Sequence, residues 1–308
     1  MNNNVKMIPL RDLNLTNRFL FSQVMEDPLA LQDALSIIFG HDIPLLTKSE
    51  TEKELRLSPA IRSIRMDVYT MDEEKNIYNA EMQQHWKSDL AKRSRYYQAL
   101  IDTSLLEPGI PSYNLLNQSY LIMIMPFDLF GYGKYRYTFT SRCLEVPQCE
   151  LEDGATRIFL NIHGTNEDEV SKELVDFLNY LEHTTDETGT RTESERIRRI
   201  HQRVCKVRAS EEIGVKYMQE WEEKYYAKQE AREEGLKEGL LEGLQKGLQE
   251  GLEEGLQKGL QKGLQKGKEE RDRELVQKNL KKGRSILEIA DLLDESPEYI
   301  EKLVKNSH

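Results

Sequence analysis

The chain reads as a mixed α/β core followed by a long helical, low-complexity extension. Three observations point there. Strand-length runs, some alternating and one continuously apolar, are interleaved with longer segments whose apolar residues recur at helical spacing. Two of these runs are joined by a short polar hairpin loop. From about residue 229 the sequence becomes a four-residue glycine-leucine repeat. Only 38% of the residues are apolar and 31% are charged, so a long stretch lies outside any packed core. The segmentation that follows is a core over 1–185, a basic amphipathic helical segment over 186–228, the repeat over 229–270 and a small helical hairpin over 271–308.

In order along the chain, residues 15–39 predict two short helices. Leu15, Phe19, Leu20 and Val24 fall at helical spacing. Asp27-Pro28 is a cap followed by a first-turn proline, and Gly40 stops the second helix. A strand or two is expected over 43–57, then a break at Ser58-Pro59. A hairpin over 62–84 follows, then a helix over 87–106 that ends near Glu107-Pro108-Gly109. Residues 118–127, 134–144 and 156–162 read as strands, and 166–183 as an amphipathic helix. The apolar run Tyr120–Phe127 is too short to cross a bilayer, contains a proline and reads as a buried strand.

The hairpin holds the most informative spacing: Asp67, then Glu81 and Gln83. Strand side chains alternate between faces, which puts Ile64, Met66 and Val68 on one face and Arg65, Asp67 and Tyr69 on the other. Tyr78, Ala80 and Met82 oppose Asn79, Glu81 and Gln83 in the same way. Once paired, Asp67 and Glu81 come within about 5 Å. Two facing carboxylates repel unless a cation lies between them, and oxygen ligands suit a divalent ion. A hairpin with one solvated face shows the same alternation, so the pattern alone leaves both readings open.

The stretches "RMDVYT", "NAEMQ" and "KRSRYYQALID" resemble the PD-(D/E)XK nuclease-family transposases, also called recombination-promoting nucleases. The likeness extends to "LNLTNRFLFSQVMEDPLALQDALSIIFG", "YLIMIMPFDLFGYGKYRYTF", "TRIFLNIHG" and the repeat tail, nearly the whole chain. It implies a PD-(D/E)XK restriction-endonuclease-like core, a mixed sheet flanked by helices, with the Gly-Leu extension appended. It also implies a Mg²⁺-dependent DNA endonuclease linked to mobile elements or recombination, with Mn²⁺ as a substitute ion. Asp67, Glu81 and the Met82 backbone carbonyl would hold the metal. Gln83 stands where many related nucleases have Lys, and an amide can orient a water but cannot supply a cation. Arg93, Tyr96 and Tyr97, at i, i+3 and i+4 on one helix face, would lie beside the site and meet nucleic acid. The family's early helix often has an acidic pair before its Phe-x-Phe segment. Here it reads Leu15-Thr16-Asn17-Arg18-Phe19-Leu20-Phe21, which leaves Glu26 and Asp33 as candidates for a third carboxylate. The competing reading is a catalytically weak or inactive nuclease-fold scaffold that binds DNA or partners and self-associates through 229–270.

The net charge of −11 argues against a simple basic DNA-binding protein. Residues 191–208 are locally basic, with seven Arg/Lys against two Glu, and read either as a phosphate-following patch or as a solvated helix face. Cys143, Cys149 and Cys205 lack paired zinc spacing and read as free thiols in a reducing cytoplasm. The N-terminus shows no cationic start followed by an apolar run, so no signal peptide or membrane anchor is expected. There is no Walker loop, dinucleotide-binding fingerprint or His-Glu-x-x-His. His85 reads as a further metal ligand or as an exposed strand-end side chain.

Glycines recur every four residues from Gly235 to Gly267. Each costs a helix about 0.8–1 kcal/mol relative to Ala, roughly 7–9 kcal/mol in all, so a frayed helical spacer is expected. The stripe drifts about 40° per repeat, which forbids a straight coiled-coil seam. A self-association device is the other reading. After the tract, Ser285 with Glu288 makes a capping box and Ser296-Pro297 a second start. Leu287, Ile289, Ala290, Leu293, Ile300 and Leu303 would form a small core, with partner docking as its use.

Overall fold

In the computed structural model, residues 6–55, 64–105, 109 and 112–305 are described. The Ser58-Pro59 break and the Glu107-Pro108 helix stop lie outside them. Two compact units emerge, Met1–Glu223 and Lys224–His308.

The first unit opens with α1 (Arg18–Met25) and α2 (Pro28–Phe39). Their starts are set by side chains that accept the orphan first-turn N–H groups: Asn17 from Phe19 and Leu20, Asp27 from Leu29 and Ala30. Gly40, at φ 77°, ends α2 in the left-handed conformation that glycine adopts without strain. β1 (Leu46–Leu55), β2 (Ile64–Asp72) and β3 (Ile77–Met82) form an antiparallel meander. Asp72 closes the β2–β3 turn, accepting from the Asn76 backbone and from the Tyr78 hydroxyl. α3 (Leu90–Leu105) then crosses over to β4 (Ser119–Met125), which pairs parallel with β3. β5 (Arg136–Phe139) is antiparallel to β6 (Ala155–Asn161), which lies parallel to β4. The sheet order is β1-β2-β3-β4-β6-β5.

Helices cover both faces. α1, α2, α4 (Lys172–Glu182) and α6 (Glu195–Ala209) pack on one face, with Phe21, Leu35, Phe177 and Ile200 in its core. α3 covers the other with Leu90, Tyr97, Leu100 and Ile101. A parallel strand buried on both sides needs an unbroken apolar run, and β4 has one. The short α5 (Asp186–Thr190) precedes α6. Segment 186–228, set apart from the core in the sequence reading, gives Ile197, Ile200, Val204, Val207 and Tyr217 to this core.

One alternation fails. Ile64 and Met66 pack on the α3 side, whereas Val68 packs on the other. The break falls at Asp67. There the β2–β3 ladder ends and the neighbouring Glu52 of β1 takes a positive φ of 55°, a local irregularity that re-aims side chains.

α7 (Glu211–Leu280) runs from the first unit into the second as one helix. The frayed spacer expected for 229–270 is therefore replaced by continuous helix. Between its glycines stand strong helix formers, and pairs such as Lys246–Glu242 and Lys258–Glu254 link successive turns. In the second unit, Val276 of α7 packs with Ile289, Ala290, Ile300 and Leu303 of α8 (Ile286–Leu293) and α9 (Pro297–Lys305). The Ser285–Glu288 capping box is formed. Leu287, expected in that core, is 70% exposed. Ile286 takes its place because it shares a helix face with Ile289, Ala290 and Leu293, at i+3, i+4 and i+7. No described helix is long and apolar enough to cross a membrane.

Candidate active site

Asp67 and Glu81 stand side by side where β2 and β3 part. The backbone ladder stops at Val68–Ala80, and beyond it the carboxylates themselves bridge the strands. The Asp67 N–H donates to Glu81 Oε1 at 3.0 Å, and the Met82 N–H donates to Asp67 Oδ2 at 2.9 Å. Asn79 steadies Glu81 through its Nδ2, 3.3 Å from Oε1. Both carboxyls are buried. Burial and then the Asp67 charge push Glu81 up to about 8, against the pull of the Asp67 N–H, Arg93 and Asn79. Burial also raises Asp67, opposed by Arg18 and the Met82 N–H.

Two arginines meet this pair. Arg18, the first residue of α1, sets its Nε on Asp67 Oδ1 and lies 3.6 Å from Glu52. Burial works against its charge, but Asp67, Glu52 and Glu81 outweigh that and raise its pKa. Arg93 of α3 reaches within 3.8 Å of Glu81 Oε2 and donates to Gln83 Oε1 at 3.1 Å. The Gln83 amide donates to the His85 backbone carbonyl at 2.8 Å. His85 thus enters through its backbone, and its side chain is exposed.

The three α3 residues play unlike parts. Tyr97 is buried in the α3-side core and its hydroxyl accepts from Arg93 Nε at 2.9 Å. Its ring lies 4.9 Å from the guanidinium, so Tyr97 holds Arg93 in place and is not free to stack on a base. Tyr96 is half-buried. Both line a cavity of about 510 Å³ together with Arg18, Ile64, Arg65, Lys87, Asp89, Lys92 and Arg93. The lining carries five cationic side chains and one carboxylate, with Asp67, Glu52 and Glu81 set behind Arg18, Arg65 and Arg93.

Two residues that sequence reasoning missed belong to the site. Thr51 pairs with Val68 and Lys53 with Met66, which sets Glu52 alongside Asp67 as the third carboxylate. It also ion-pairs with Arg65. Arg18 is the other. Glu26 and Asp33 are elsewhere: Glu26 is exposed at the end of α1, and Asp33 is clasped by Arg199 Nε at 2.8 Å. The basic run 191–208 is not an open patch either. Arg196 binds Glu173 and Asp42, Arg199 binds Asp33, and Arg208 donates to the Leu13 and Thr184 carbonyls.

A family model described as PD-(D/E)XK nuclease family transposase matches residues 18–234. No curated protein and no solved structure matches the chain significantly.

Proposed function

The chain belongs to the PD-(D/E)XK nuclease family transposases, and on that premise we propose that it is a Mg²⁺-dependent DNA endonuclease, with Mn²⁺ as a substitute ion. The observation that carries this reading is the buried Asp67–Glu81 pair at the parting of β2 and β3, joined by Arg18 and Arg93 to a basic cleft. The donor set fits a hard divalent cation: two carboxylates and the Met82 carbonyl are all oxygen ligands. Glu81, pushed up to about 8 by burial first and the Asp67 charge second, is a carboxyl whose charged form a cation between the pair would favour. Such an ion supplies Lewis acidity at the scissile phosphate and makes a water more acidic.

Arg93 offsets phosphate charge from the position where a Lys in place of Gln83 would act. Gln83 orients the attacking water by hydrogen bonding and leaves its proton for another acceptor, so turnover is slow. Lys87, Lys92 and Tyr96 receive the DNA backbone in the cleft. Purified protein should nick supercoiled plasmid with Mg²⁺ and stop on chelation or with Asp67→Ala. Equal nicking by that variant ends the reading.

Two observations favour a second reading, a scaffold with little turnover. Arg18 already neutralises Asp67, and the tract from Leu236 to Leu264 leaves its leucines exposed for self-association. Light scattering of the full chain against one lacking 229–267 distinguishes them. A scaffold loses mass beyond the deleted residues and cuts nothing.

A further inference from the structure

His201, on the buried face of α6, is 5% exposed and turns its two ring nitrogens to different neighbours. Nδ1 lies 2.8 Å from the hydroxyl of buried Tyr180. Nε2 faces outward, 3.4 Å from Asp186 Oδ1 at the start of α5 and 3.5 Å from Cys205 Sγ one turn further along α6. The three outward-facing atoms all lie within 4.8 Å of one another. Nothing in the nuclease reading uses them.

We propose that Asp186, His201 and Cys205 form a Zn²⁺ site separate from the Asp67–Glu81 pair. Tetrahedral zinc has Zn–S about 2.3 Å, Zn–N about 2.0–2.1 Å and Zn–O about 2.0–2.2 Å. Those lengths set an N···S edge of about 3.6 Å and an N···O edge of about 3.3 Å. The observed 3.5 and 3.4 Å match those two edges, and the third, Cys205 Sγ to Asp186 Oδ1, lies within 4.8 Å and closes to about 3.6 Å by rotation of two exposed side chains. One thiolate, one imidazole and one carboxylate select zinc over magnesium or calcium, which prefer oxygen alone.

The surroundings prepare the histidine for this. In the tautomer that donates Nδ1–H to the Tyr180 oxygen, 2.8 Å away, Nε2 keeps its lone pair for the ion, the outer arrangement typical of ligating histidines. The ring cannot swing away, because it packs on Gly189, where a Cβ would overlap it. Burial holds the imidazole below its ordinary value, with Asp186 opposing and Arg208 assisting. Arg208 points its guanidinium at the Leu13 and Thr184 carbonyls, 2.6 and 2.8 Å away. Asp186 and Cys205 are exposed, so zinc enters from solvent and a water completes the tetrahedron. Binding releases the Cys205 thiol proton to solvent. The ion then ties α5 to α6.

Reduced, chelator-stripped full-length protein is titrated with Co²⁺ as a spectroscopic stand-in. The expected result is a thiolate-to-cobalt charge-transfer band with tetrahedral d–d absorption, saturating near about one Co²⁺ per chain and erased by Zn²⁺. Both signals should vanish in Cys205→Ser, an exposed substitution that leaves the core intact, and in His201→Gln. They should persist in Cys143→Ser, Cys149→Ser and Asp67→Ala, the last of which separates this site from the nuclease reading. Zn²⁺ should also raise the melting temperature of the wild type and leave that of Cys205→Ser unmoved. Absence of the thiolate band, or its survival in Cys205→Ser, overturns the proposal.

Discussion

In the proposed nuclease, Asp67 would be contested by two kinds of cation. Arg18 rests on its Oδ1, so a metal bound there must compete with a guanidinium already in place. Arg18→Gln is therefore expected to tighten Mg²⁺ binding by about tenfold, on the order of 1.4 kcal/mol. Calorimetry measures it, and unchanged affinity would show that Arg18 does not compete. Glu81 carries the pH dependence. Its folded-state value, pushed to about 8, lies above the ordinary 4.5, so the folded protein holds that proton more tightly than the unfolded chain. The stability this adds is complete below pH 4.5 and is lost as pH rises towards about 8. In chelator, the denaturation midpoint should fall over that window, and Glu81→Gln should flatten the fall. A slope that Glu81→Gln leaves unchanged would assign it to other groups. Asp67, Glu81 and Gln83 could be picked out in the sequence because strand alternation and one hairpin bring them together. Glu52 and Arg18 could not, since their approach depends on the β1–β2 register and on where α1 docks.

Among the elements, α6 and α7 differ most from their sequence readings. The basic face of α6 looked available for phosphate, yet its arginines clasp Asp33, Asp42 and Glu173. Its opposite face inserts Ile197, Ile200, Val204 and Val207 into the core. Ile200→Ala should then cost about 2–5 kcal/mol in chemical denaturation, as for other fully buried aliphatics. A loss under half a kilocalorie would place α6 outside the cooperative core. α7 is helical through its glycine tract without neighbours: a Cβ at Gly243, Gly247, Gly251 or Gly255 would meet nothing within 4 Å. Alanine at these four positions should stabilise the tract by about 0.8–1 kcal/mol each and slow its amide exchange. Exchange no slower than in the native tract would mean something other than propensity sets its helicity.

At the scale of the whole molecule, charge is unevenly placed. The chain carries −11 overall, yet the cleft beside Asp67 and Glu81 gathers Arg18, Arg65, Lys87, Lys92 and Arg93. Arg18 and Arg65 are held closely by carboxylates, so in the proposed nuclease Lys87, Lys92 and Arg93, the last standing 3.8 Å from Glu81, would be the main phosphate contacts. Three contacts give a slope of log K against log salt of about −2.7 for duplex DNA. Fluorescence anisotropy across a salt series checks this. A slope near zero would remove the cleft as the DNA site, and one several times steeper would require a second basic surface.

The sequence by itself determined the element order, the helix caps at Asp27 and Ser285, the buried β4 and the Asp67–Glu81–Gln83 hairpin. Each of these is written in local periodicity or in residues a few positions apart. Only the tertiary structure decided that Glu52 and Arg18 join the carboxylate pair, that Arg93 meets Gln83, and that Asp186 reaches His201 and Cys205. Those meetings depend on strand register, the backbone turn at Glu52 and helix docking. Such geometry follows from how whole elements share a core, and no short stretch of chain encodes it.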